Sequence, residues 1–290
     1  MSAYQNILAH ERGIWALSQV MGRLGWDQET TMPRGAAHQR SEEMAALEDM
    51  LHVRRTDPRL GDWLDQAEAP DRAGAAILRH ARRSFARNTR VPADLAAELA
   101  RTTSMAQGIW AEARARDDVA HFLPTLTRVI DLRRQEAQAL AGDGALYDAL
   151  LADYEPGITG DQIAAMFDRM RPRLVALAEA VLAADNQPAP LTGEFGHDGQ
   201  MRLARRLAQV SESDPFNCLY STIHEVGHAC YEQAIEGAYA FTPLAEGVSM
   251  GVHESQSRIY ENQLGRSRAF TGWLFDRMRE EFGDLEQGQG

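Results

Sequence analysis

Cysteine is scarce: Cys218 and Cys230 are the only two among 290 residues. Two thiols cannot build a disulfide framework, and such usage fits a reducing compartment, so a cytoplasmic location is expected. Long apolar runs are also missing. Nothing approaches the roughly 20 residues that a bilayer span requires, and the first 26 residues carry polar groups throughout, so neither a membrane anchor nor a signal peptide is expected. Positive charge is in the minority, with 30 Lys and Arg against 42 Asp and Glu and a net charge of -12. That balance excludes a nucleic-acid surface as partner, because phosphate binding needs clustered cations. Finally, no run of β-branched residues alternates with polar ones, which leaves room for a very small sheet at most.

Helical spacing is what remains. In "RSEEMAALEDMLHVRR", Met44, Leu47, Met50 and Leu51 fall on one stripe. Comparable runs cover residues 3 to 24, 34 to 54, 71 to 88, 93 to 115, 120 to 141 and 161 to 185, divided by breaks rich in Pro, Gly or Asp. The expected fold is therefore all-α, with long antiparallel helices in a single domain over residues 1–290. Its two parts would be a helical portion over 1–190 and a site-bearing portion over 191–290. The irregular stretch "NQPAPLTGEFGHDGQ" joins them as a loop.

The chemistry concentrates in "SDPFNCLYSTIHEVGHACYEQ". Asp214 is placed to cap a helix whose first residue is Pro215. At about 100° per residue, His224 and His228 lie about 40° apart on one helical face, with Glu225 on the adjacent edge. Such a helix is either a metal site with its general base or an ordinary polar stripe. Zinc at a catalytic centre takes three protein ligands and keeps a position for water, so the metal reading needs a third ligand. Glu225 points past the ion and suits the base role. The downstream "FTPLAEGVSMGVHESQSRIYENQLGRSRAF" reads as a second helix, started by Thr242 and Pro243 and closed near Gly265. It offers Glu254 as the third ligand, after a turn back near Gly237.

"STIHEVGHACYEQ" followed by "PLAEGVSMGVHESQSRIYENQLGRSRAF" resembles the thermostable carboxypeptidase, or carboxypeptidase Taq, family of zinc metallocarboxypeptidases. "LGWDQETTMPRGAAHQRSEEMAAL" and "YDALLADYEPGITGDQI" share the likeness, which spans nearly the whole chain. The resemblance implies a zincin-like HExxH enzyme that removes residues from peptides with a free C-terminus. It implies one zinc ion held by His224, His228 and Glu254, with Glu225 as general base and His253 beside the metal, either supporting a ligand or contacting substrate. It also implies a groove partly roofed by the N-terminal helices, and a homodimer.

The chain departs from the family pattern at the "HPF" and "DxRxT" motifs before the zinc helix and at the "IRxxAD" and "GxxQDxHW" motifs after the acidic one. The sequence runs from "MRLARRLAQV" almost directly into "SESDPFNCLY". Those motifs bring arginines, whose bidentate geometry suits a terminal carboxylate. Impaired peptidase activity is therefore expected, with a zinc-binding, non-catalytic homologue as the alternative. Arg258 and Arg266 stand near the site in sequence, either as substitutes for the missing arginines or as helix-surface ion pairs.

Overall fold

The protein is described from a computed structural model covering residues 1–185, 191–192, 194–205, 215–283 and 286–287. Among the described residues the fold is all-α apart from one two-residue antiparallel pairing, in which Leu191 faces Gln287 and Thr192 faces Glu286. It divides into two compact units. The first takes Met1–Asp153 and Glu236–Ala245, and the second takes Tyr154–Ile235 and Glu246–Gly290.

The first unit contains α1 (Ala3–Thr30), α2 (Ala37–Arg55), α3 (Pro58–Gln66), α4 (Arg72–Asn88), α5 (Ala93–Arg116), α6 (Val119–Ala141) and most of α7 (Leu146–Tyr154). Its helices begin where short polar side chains satisfy free amides. Ser2 and Gln5 form a reciprocal capping box on α1, Asp71 accepts from the Gly74 amide at 2.7 Å, and Asp118 accepts from His121 at 3.0 Å. α5 stops at Asp117, whose left-handed φ of 54° ends the helix, and α6 starts two residues later, at Val119, as the other arm of a helical hairpin. Ile7, Leu60, Leu64, Leu78 and Ala81 form the buried core among α1, α3 and α4, with Trp63 and Phe85 packed against it.

α3 and α7 lie in stretches expected to be breaks between helices. Asp57 and Pro58 explain the first: the Asp57 carboxylate accepts from the Arg59 amide at 2.9 Å, and the proline supplies a preset φ. A high density of turn-forming residues therefore marked a helix start here.

The second unit contains α8 (Gly160–Leu182), α9 (His197–Arg205), α10 (Pro215–Gln233), α11 (Met250–Arg258), a π-helical turn (Ile259–Leu264) and α12 (Arg268–Phe282). The expected loop is thus shorter than the sequence suggests, because α9 begins at His197. Leu203, Leu219, Leu274 and Met278 make the core that seats α9, α10 and α12 together, with Phe195, Phe270 and Phe282 around it. No described helix is long and apolar enough to cross a membrane.

Candidate metal centre

α10 starts at Pro215, as its sequence predicts, while the expected cap Asp214 lies outside the described residues. Leu219, Ile223 and Gly227 recur every fourth residue along its buried face. At Gly227 the helix backbone meets α11 directly. A Cβ there would lie 2.6 Å from the Ser257 Cα and 3.0 Å from the Gln256 carbonyl, so only glycine permits this approach. His224 and His228 stand beside that crossing and face the second helix.

The second helix starts later than predicted. Thr242 and Pro243 do not open it; α11 begins at Met250, with the Ser249 hydroxyl accepting from the Val252 amide at 3.3 Å. The reason is local. Phe241 has a left-handed φ of 62°, and the Thr242 hydroxyl is turned back onto the Tyr239 carbonyl at 2.7 Å, so residues 242–249 follow turns instead. The predicted reversal near Gly237 is a 3-10 turn, Gly237–Tyr239.

The two helices bring three donor atoms together. His224 Nε2 and His228 Nε2 are 3.1 Å apart, and Glu254 Oε2 lies 3.4 Å from the first and 3.5 Å from the second. A tetrahedral ion with bonds of about 2.0–2.1 Å has ligand-to-ligand edges of about 3.3 Å. The observed triangle fits that size, and its imidazole and carboxylate chemistry is a zinc donor set. Among the described residues, these three form the one His, Cys, Asp and Glu group able to hold a metal ion.

Around the triangle, charge is tightly organised. Glu254 Oε1 accepts from Arg258 Nε at 2.9 Å, leaving Oε2 for the histidines. Burial pushes the Glu254 carboxyl up, but the hydrogen bond from Arg258 and the nearby imidazoles outweigh it and hold the group below the ordinary range. Glu261, 9% exposed, accepts from Arg258 Nη1 at 2.8 Å and from Arg266 Nη2 at 3.3 Å. Arg266 also lies over the Tyr220 ring at 4.2 Å and donates to Asn262 at 3.0 Å. Both arginines are therefore engaged by side chains of their own unit.

Glu225 is exposed on α10 and makes no hydrogen bond or ion pair among the described residues. His253 is brought to the cluster, its Nδ1 lying 2.5 Å from His228 Nδ1. Sequence reasoning missed Glu261 and Glu232, which touch His224 and His253 respectively. For Glu261 a signal existed: Glu254, Arg258 and Glu261 repeat at i, i+4 and i+7, one helical face carrying alternating charge.

Comparison with known proteins gives a consistent result. The profile of the family described as carboxypeptidase Taq (M32) metallopeptidase matches residues 6–211 and 207–289. Thermostable carboxypeptidase 1 of Thermus thermophilus is 35% identical over 333 aligned residues, covering 98% of this chain and 65% of that protein. The Pyrococcus furiosus protein of the same name is 30% identical, with coverages of 95% and 63%. An M32 carboxypeptidase structure from Deinococcus radiodurans R1 superimposes with a TM-score of 0.79 at 32% identity, covering 97% of this chain and 64% of that one. The chain thus spans somewhat less than two-thirds of these relatives' length. The 333-residue alignment exceeds the 290 residues of the chain, so the Thermus protein carries internal residues that this one lacks.

Proposed function

The chain belongs to the carboxypeptidase Taq (M32) metallopeptidase family, and on that premise we propose that it is a zinc-dependent carboxypeptidase acting on peptides with a free C-terminus. The observation that carries this reading is the triangle of His224 Nε2, His228 Nε2 and Glu254 Oε2, with edges of 3.1, 3.4 and 3.5 Å. Family membership implies a divalent metal; the donor set supports zinc. When bound, the ion supplies Lewis-acid polarisation of a carbonyl and a more acidic water. Glu225, exposed and uncommitted beside His224, serves as the general base: it takes the proton of the attacking water and returns it to the departing amine. His253 stands beside His228 as a supporting group.

Activity is weaker here than in relatives that carry the internal segment. A terminal carboxylate needs charged hydrogen bonds of about 1.5–3 kcal/mol each, and Arg258 and Arg266 are held by Glu254 and Glu261 instead. Losing two such bonds corresponds to roughly two to four powers of ten in binding at about 1.4 kcal/mol per tenfold. That same engagement of both arginines favours the second reading, a zinc-binding homologue with an interaction or regulatory role. Cytoplasmic location and homodimerisation complete the proposal, the first supported by the sparse cysteines and the second by the exposed apolar ridge of Phe167, Met170, Leu174, Leu177 and Val181 on α8.

The test is steady-state kinetics of zinc-loaded protein on a blocked dipeptide, free or amidated at its C-terminus, alongside Glu225→Gln. Slow turnover preferring the free acid, lost in Glu225→Gln with zinc retained, is the expected result. Full zinc without turnover on either peptide selects the non-catalytic reading, and failure to bind zinc overturns both.

A further inference from the structure

Both imidazoles of the centre turn their outer nitrogen onto a chain that ends in a carboxylate. His224 Nδ1 lies 3.1 Å from Glu261 Oε2. His228 Nδ1 lies 2.5 Å from His253 Nδ1, and His253 Nε2 lies 2.8 Å from Glu232 Oε1. All these residues belong to the second unit.

An ionised carboxylate only accepts, so each contact dictates where a proton sits. Against Glu261, His224 Nδ1 must donate, and in the neutral ring Nε2 is then a bare lone pair. Against Glu232, His253 Nε2 must donate, which makes His253 Nδ1 an acceptor. His228 Nδ1 then donates to it, and His228 Nε2 is left bare as well. Two separate chains thus aim two lone pairs at each other across 3.1 Å, with Glu254 Oε2 as a third acceptor. Three acceptors facing one point with no proton of their own repel unless a cation lies among them.

We propose that Glu261 and Glu232 are positioning residues that fix the imidazole tautomers of the centre, Glu261 acting on His224 directly and Glu232 on His228 through His253. The inference rests on the metal reading given above and goes beyond it in assigning two carboxylates that bind neither metal nor substrate.

The surroundings hold both acceptors in place. Glu261 stands in the π-helical turn, which is closed by the Gly265 amide on the Tyr260 carbonyl at 2.8 Å, and the two arginines clamp both of its oxygens. Glu232 is fixed by the Gly247 amide at 3.2 Å on the same Oε1 that faces His253. A Cβ on Gly247 would sit 2.7 Å from His253 Cδ2 and 2.9 Å from the Tyr231 ring, so the glycine lets this loop close onto the imidazole. Carboxylates that orient a ligating histidine in this way are worth about 10- to 100-fold in metal affinity.

Two measurements on the full chain test the proposal, with Glu261→Ala, Glu261→Gln, Glu232→Gln and His224→Ala as variants. The first is ¹⁵N-imidazole NMR of the metal-free protein at mildly alkaline pH. His224 and His228 should both carry the proton on Nδ1, and each Gln variant should shift its own histidine toward a mixture, because an amide can donate as well as accept. The second is zinc affinity by chelator competition, where Glu261→Ala should bind about 10- to 100-fold more weakly. Nε2-protonated rings in the unaltered protein overturn the proposal, as does near-normal zinc affinity in Glu261→Ala when His224→Ala has lost it. Near-normal affinity in His224→Ala instead overturns the metal centre itself. Should Glu261→Ala fail to fold, the Gln variants and the NMR tautomers decide alone.

Discussion

Glu11 sits on α1 with 5% of its surface exposed and outside any proposed chemistry. Burial pushes its carboxyl from an ordinary 4.5 up to about 7, against a smaller opposing pull from Arg55. Between those values the folded protein holds a proton that the unfolded chain has released, so stability falls as pH rises through this window and levels off above it. A shift of this size corresponds to roughly 3 kcal/mol between pH 4 and pH 8. Glu11→Gln should remove most of that slope and raise stability at pH 8. Urea unfolding at pH 5 and pH 8 checks it; an unchanged slope in the variant would place the pH dependence elsewhere.

Glycines on helices separate packing from propensity at the level of elements. Gly22 on α1 has open space where a Cβ would go, so Gly22→Ala should gain up to about 1 kcal/mol of helix propensity. Gly227→Ala carries the same propensity gain on α10. There, however, the new carbon meets the Ser257 backbone at 2.6 Å, and overpacking of that kind costs about 1–3 kcal/mol because no flexible side chain can yield. The clash wins, α10 and α11 part, and the histidines leave Glu254. Thermal melts should therefore move in opposite directions for the two variants, with zinc binding weakened only in Gly227→Ala. Normal zinc affinity in Gly227→Ala would show that the helix crossing does not set the site. The helices themselves were legible as apolar stripes, since periodicity follows from burial of one face. The start of α11 was not, because Phe241's left-handed backbone and the bond from Thr242 to Tyr239 arise from how the loop folds back.

At the scale of the molecule, every proposed ligand belongs to the second unit. Zinc at 100 times its dissociation constant should stabilise what it binds by about 2.7 kcal/mol. Amide hydrogen exchange should show that gain in α10 and α11, with α1, α3 and α4 of the first unit unchanged. Equal protection of both units on adding zinc would mean that they unfold as one. Chelation should reverse the effect.

The sequence by itself determined the helical class, because apolar spacing dictates which face can leave water, and it marked His224 and His228 as one-sided, because four residues make about one turn. It carried the family likeness through "HEVGH" and "HES". Only tertiary structure decided that Glu254 Oε2 lies 3.4 and 3.5 Å from the two Nε2 atoms and that Glu232 reaches His253. The longest of those contacts, His224 to Glu254, joins residues 30 positions apart. Spacing along a chain fixes neighbours within one helix, whereas the meeting of two helices depends on a close approach that a glycine permits and a buried core holds.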